Sequence, residues 1–501
     1  MRLPRNRLLR ALAWLGIALV MVEVVYLIAG NIALAACAKR FDTNSPVGLS
    51  FERGFTWFPG RVYLRGVRVH GDGWSAVGSA SAAFAPWSVV TSPRRIDSVT
   101  MDVTQVDIGA RRSKGAMHVV VTDVTIDDAL LSFKADANVT DSTLESDGAL
   151  LASGMHGTIT LDIAPVDVDK HSIVDTMSGK VALDGVFLSL EPLASFGTLK
   201  TTQDQGTLHI AGTLAKGQLA PGSEIRAHTA HATLKDDHGA SGDFPKGIDV
   251  VLRVAGATPS ELQLAIETPT LVFAGADATK PADVFDDFVM SVPAGSSDLK
   301  LDHLAMRELD WTSKHATIHE GETTLSAALT GHLHFEVRKD GALVADGGSM
   351  HATNVTVENA DAPDHEPFEA KLTITRLAIT HENGIALRGP LHCNGGDARP
   401  VVDVLVTSES IRHAVSGSIA HKPFTLDTTI NRDDGHVSLD AFVLSASGLK
   451  LRGGYVRRDQ SSHGAFILED GTLPVGISLH DKKESIVLGA SSSWLEHELA
   501  K

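Results

Sequence analysis

The stretch His332-Leu333-His334-Phe335-Glu336-Val337-Arg338 puts an apolar side chain at every second position and a polar or charged one between. Successive side chains of an extended strand point to opposite faces, so this is a strand with one apolar and one wet face. The same pattern runs through 261–267, where Leu262, Leu264 and Ile266 alternate with Glu261, Gln263, Ala265 and Glu267. It returns at 368–375, where Phe368, Ala370, Leu372 and Ile374 alternate with Glu369, Lys371, Thr373 and Thr375. Half-wet strands belong to antiparallel sheets, whereas the strands of a parallel α/β sheet are apolar on both faces.

Outward from these strands, a degenerate unit recurs: glycine, any residue, apolar, any residue, apolar. It stands at Gly60, Gly157, Gly179, Gly206, Gly331 and Gly435, at irregular spacing, which excludes a fixed-period solenoid or propeller. Read simply, the glycine enters a turn and the strand follows. Two strands change phase at a glycine. Val62 and Leu64 share a parity that Val67 and Val69 leave after Gly66, and Val181 and Leu183 one that Val186 and Leu188 leave after Gly185. A parity slip at glycine is either a bulge or a tight turn. Helical periodicity is confined to two short places. After Pro281, Val284, Phe285, Phe288 and Val289 fit one helix face, and the tail from Ser493 to Leu499 fits another. At about 14 residues per strand and turn, the body holds roughly 30 strands. A sheet that large hides its apolar face by closing, by pairing with a second sheet, or by curling into a trough.

The N-terminus has a different grammar. Arg2, Arg5, Arg7 and Arg10 precede an apolar run from Ala11 to about Ala36, long enough at 1.5 Å per residue to cross ~30 Å of hydrocarbon. Lys39 and Arg40 follow, but four arginines outweigh them, which puts the N-terminus in the cytoplasm and the body outside. A cleaved signal peptide and a lipoprotein processing box at Leu34-Ala35-Ala36-Cys37 are alternatives. The run is about twice the length of a signal-peptide core, which favours a retained anchor. Glu23 falls near the bilayer centre, where an ionisable group is either a contact with a partner helix or a tolerated neutral carboxyl. The division read from sequence is therefore 1–40 for the cytoplasmic tip and anchor, 41–115 for an N-terminal β-segment, and 116–501 for a repetitive sheet body ending in a short helix.

Composition excludes several function classes. The net charge is −17 and aromatics are 5%, with no local basic patch in the sequence, which argues against nucleic acid. Two cysteines, Cys37 and Cys393, do not make a disulfide framework, and Cys393 reads as a small buried hydrophobe. No G-x-S-x-G, Walker, G-x-G-x-x-G or H-E-x-x-H string occurs. Ser447-Gly448-Leu449-Lys450 matches S-x-x-K but lies on alternating strand residues. His332 with His334, and His228 with His231, lack a third metal ligand and read as solvated histidines. Asp236-Asp237 and Asp433-Asp434 read as turn residues without calcium-loop spacing. No catalytic, cofactor or metal site is expected.

The segment from Tyr26 to about Arg112 resembles the N-terminal region of AsmA-like proteins, inner-membrane-anchored periplasmic proteins of Gram-negative bacteria related to TamB and YhdP. The resemblance is carried by a span ending near Asn31, then Phe58-Pro59-Gly60-Arg61, the strand Val62 to Val69, and the turn Gly71-Asp72-Gly73. Trp87-Ser88-Val89-Val90 and a strand through Val99, Met101 and Val103 follow. The stretches Gly435 to Leu439, Gly453-Gly454-Tyr455 and Val475-Gly476-Ile477 are similar to the family's sheet repeats. The resemblance implies a long, curved, antiparallel β-sheet with an apolar groove, behind a transmembrane helix. It also implies phospholipid transport between membranes or outer-membrane biogenesis, with acyl chains, the inner membrane and a membrane partner at the anchor as partners. Leu333, Phe335 and Val337 are the candidate groove lining, and Glu23 the candidate intramembrane contact. The alternative from another class is a non-catalytic assembly factor for outer-membrane proteins or lipopolysaccharide, offering a sheet edge to its client.

Overall fold

The computed structural model describes seven helical residues between Val20 and Ile32 and, from Gly48 to Ala500, all but connecting segments, the longest being 168–175, 189–199 and 400–421. The expected anchor falls mostly outside the described residues, and Glu23 and Cys37 fall there entirely. Among the described residues no helix is long and apolar enough to cross a membrane. The protein is mainly β: thirty-two strands are described, thirty in one long antiparallel sheet and two, Ser297–Lys300 and His303–Met306, in a separate hairpin. The chain divides into two compact units, one built mainly from the residues up to Pro192, the other mainly from those after Pro259. Residue 115 lies within the strand Arg111–Asp127, in the interior of the first unit.

The first unit is a meander in which each strand pairs with the next. Arg53–Trp57 pairs with Arg61–Gly71, and the order continues through Trp74–Ala83, Arg94–Ile108, Arg111–Asp127, Leu130–Ser146, Ala149–Asp167 and Met177–Phe187 to Gly206–Ala215. Several of these strands run to 15–19 residues, far beyond the common five or six. Their register slips within the strands. Slips fall at Arg65/Val67, Val77/Gly78, Val103/Gln105, Lys114/Ala116, Val139/Ser142 and Ser153/His156, on successive strands and in line with one another. Gly66 (φ 63°), Asp141 (φ 51°) and Gly154 (φ 58°) supply left-handed backbone on that line. A bulge bends its strand, so bulges aligned across successive strands make a crease in the sheet. The phase change after Gly66 is thus a bulge. The strand also continues through Gly185, opposite the slip at Ser153/His156.

The glycine unit needs correction. Gly60 (φ 83°) does turn the chain into its strand. Gly157 and Gly331 instead sit in strand interiors. A Cβ on Gly331 would collide with the Trp311 ring of the neighbouring strand, and one on Gly157 with the backbone at Ala182. These positions are glycine because something crosses them, not because the chain turns.

The second unit repeats the meander from Leu262–Ala274 to Lys483–Leu488. The helix expected after Pro281 is a strand, Asp283–Val292. Asp287 takes φ 47°, which turns the backbone so that Phe285 and Phe288, three apart, share a face with ring centroids 6.1 Å apart. A bulged strand thereby mimics the helical period. The expected tail helix is present as Ser492–Leu499, capped by Ser491, whose hydroxyl accepts from the Trp494 N–H. It lies on Leu449–Arg458, Ser461–Glu469 and Val475–His480. It covers the face of Gly454 and Gly476, and the opposite face of the same strands carries a closed core: Phe442, Leu444, Leu451, Phe466 and Ile477 are at most 2% exposed.

Candidate functional site

The strands of the first unit align their apolar residues in rows perpendicular to the chain. One row runs Leu64, Ala80, Met101, Val119, Ala137, Ile159 and Val181, each directly opposite the next. A second, along the crease, runs Val67, Gly78, Val103, Met117 and Val139. The two differ in burial. Val67, Val103 and Val139 are 1%, 6% and 4% exposed. Leu64, Met101, Val119, Ile159 and Val181 are only half-buried. The crease row is thus a floor and the outer row remains reachable by solvent. Seven strands at ~4.8 Å give the outer row a length of about 29 Å. That is long enough to seat an extended acyl chain, which spans half of the ~30 Å hydrocarbon core.

Side chains on the opposite face are exposed and polar, and their charges are paired across strands. His118 Nδ1 stands 2.8 Å from Asp102 Oδ1, and His209 Nδ1 stands 2.7 Å from Asp184 Oδ1. In the second unit His332 pairs with Asp310 at 2.6 Å and His392 with Asp427 at 2.7 Å. Each pair is directly opposite in the ladder. Glu224 accepts from Arg253 Nε at 2.8 Å and Arg226 Nε at 2.9 Å, and these guanidinium groups hold its carboxyl below the usual glutamate range. Arg112, with Gln105 and Ser75, does the same for Asp107. Among the described residues no group of three or more His, Cys, Asp or Glu could hold a metal.

Of the candidates named from sequence, Leu333 and Phe335 lie on one sheet face, that of Leu325, Ala327 and Leu329, by strand alternation, and Val337 ends the same strand. Leu329 is 6% exposed, while Leu333 and Phe335 are half-buried. Leu333 stands opposite Leu309 and Gly348, Phe335 opposite Ala345, and Val337 opposite Leu343. Glu23 lies outside the described residues. Cys393 is partly buried, and burial pushes its thiol upward. Ser447 (φ 47°) and Gly448 (φ 91°) form the turn between His436–Ala446 and Leu449–Arg458, which accounts for the S-x-x-K string. His231 pairs with Asp243 at 2.9 Å. Asp236, Asp237 and Asp434 lie outside the described residues.

Sequence reading missed the first unit's rows because each takes one residue from each of several strands, and only the register aligns them. It also missed a basic patch. Arg53, Arg61 and Arg65 are scattered in sequence but brought to one face by a single hairpin. The chain matches no family model and no curated protein.

Proposed function

We propose that this is a membrane-anchored, AsmA-like periplasmic protein whose first-unit sheet carries phospholipid acyl chains along its creased apolar face. The observation that carries the reading is the half-buried apolar row from Leu64 to Val181. Apolar side chains left that accessible, in a chain that seals Phe442, Leu444 and Phe466 elsewhere, mark a surface made for an apolar ligand. Hydrocarbon in such a trough is removed from water while headgroups stay hydrated, so a chain slides without a large barrier. Motion then follows a concentration gradient unless a partner supplies energy. The anchor reading is supported by Val20, Met21, Val24, Val25, Ile28 and Ile32, helical and 43–66% exposed, as side chains facing lipid would be. The face needs no catalytic group, and the reading is non-enzymatic. Lipid mass spectrometry on the purified full-length chain tests it. Phospholipid retained through purification is the expected result, and a protein free of lipid sinks the conduit.

One observation favours the assembly-factor reading. The last strand, Lys483–Leu488, pairs on one side with Val475–His480 and exposes Ile486 (54%), Val487 (39%) and Leu488 (71%). An apolar edge strand is a template for β-addition. Loss of client assembly on replacing Ile486 and Leu488 with lysine, with bound lipid unchanged, would move the function to this edge.

A further inference from the structure

The polar faces described above match opposite charges across strands, and among the described residues one directly opposed pair breaks the rule. In the hairpin Arg53–Trp57/Arg61–Gly71, Arg53 stands directly opposite Arg65. Arg61 shares that face by alternation, and Arg68 returns to it after the Gly66 bulge. All four guanidinium groups are exposed. Like charges directly opposite are unfavourable, and the third strand offers no relief, since Ser79, Ser81 and Ala83 stand opposite Arg65, Tyr63 and Arg61. Glu52 is the one acid within 48–71, in a protein of net charge −17. Between the arginines Phe55 stacks on Tyr63 with ring centroids 5.0 Å apart, and Phe55 is 49% exposed.

We infer that this face is a docking surface for the anionic phospholipid headgroups of a membrane. Arginine forks take phosphate oxygens bidentately, which would relieve the Arg53–Arg65 opposition. An exposed aromatic pair among cations is the side-chain chemistry of the bilayer interface. Position selects a membrane over other polyanions: Arg53 follows Ala36, the end of the apolar run, by only seventeen residues, a reach of at most ~60 Å. The inference rests on the anchor reading, and it assigns the first hairpin the task of holding the sheet's membrane end against the bilayer, beside the start of the apolar row at Leu64.

The test uses the full chain in nanodiscs of phosphatidylcholine alone or mixed equally with phosphatidylglycerol, read by amide hydrogen exchange over 48–71. Exchange should slow by about tenfold in the anionic discs at low salt, and the difference should vanish at high salt. The variant R53Q/R61Q/R65Q/R68Q should lose the difference, and the four Arg→Lys changes should keep most of it. Equal exchange in both discs, or a difference that survives the glutamine variant, overturns the inference. Protection by a single-stranded oligonucleotide but not by anionic discs also overturns it. A chain that enters neither disc defeats the anchor reading instead. That chain is then soluble, and sedimentation with anionic against neutral vesicles decides the patch by itself: binding to the anionic ones alone upholds it, and no preference overturns it.

Discussion

Replacing Val119 with aspartate separates an open apolar face from a closed core. Val119 stands in the middle of the outer row, opposite Met101 on one side and Ala137 on the other, and is half-buried. Fully burying a valine is worth about 1.5 kcal/mol, so losing a half-buried one costs about 1 kcal/mol. On a solvent-reachable face the new carboxylate keeps most of its hydration, so the total should stay near 1–2 kcal/mol. The matched control is Leu444→Asp, at a position with 0% exposure inside the C-terminal core. There the change removes a full leucine and buries an unpaired charge, at a cost of several kcal/mol. Limited proteolysis and thermal unfolding report the difference, and mass spectrometry of bound lipid reports the function. Val119→Asp should give folded protein with depleted lipid, and Leu444→Asp should give aggregated or degraded protein. If Val119→Asp is as damaging as the control, the first-unit face is closed. If it is folded and carries undiminished lipid, the row is not the path.

Phe335→Asp extends the test to the second unit: its half-buried site predicts folded protein, and lipid loss there would show that this face of the second unit also contacts lipid. Asp141, held at φ 51°, should tolerate glycine with no loss or a small gain, whereas Asp141→Val should cost about 1–2 kcal/mol by chemical denaturation. The depressed Glu224 carboxyl contributes stability that is present above the ordinary glutamate range and lost as the pH falls through its lower folded value. Glu224→Gln should therefore flatten the acid limb of the first unit's stability profile, measured as unfolding midpoint against pH. Cys393, its thiol raised by burial, should alkylate slowly at pH 8 in native protein and quickly in denaturant, as followed by intact mass.

Much of the architecture was legible because alternation is a strong signal when both polar and apolar residues are plentiful. The strands at 262–267, 332–337 and 368–374 all follow from it. The errors arose where backbone geometry broke the period. Phe285 and Phe288 lie three apart on one face because Asp287 adopts left-handed backbone, and nothing in an aspartate announces that choice. Gly331 looked like a turn, yet it makes room for Trp311 on another strand, a partner that only the register reveals. The crease was hidden for the same reason: Gly66, Asp141 and Gly154 carry no common motif, and their alignment exists only once the strands are paired. Leu333 and Phe335 lie on one face of their strand by alternation, but the longer half-buried row lies in the first unit, where it takes one residue from each of seven strands and only the register lines them up.

Under the proposed function, hydrocarbon rides on one face of the first unit and not on the other. A photoreactive amino acid placed singly at Met101, Val119 or Ile159, and at the adjacent outward positions Asp102, His118 or Thr158, tests it in membranes. Neighbouring residues on one strand point to opposite faces, so each pair differs only in which side of the sheet it samples. Phospholipid adducts are predicted at Met101, Val119 and Ile159 and not at their outward neighbours. Equal labelling of both faces, or adducts to protein alone at the apolar positions, would show that the apolar face does not carry lipid.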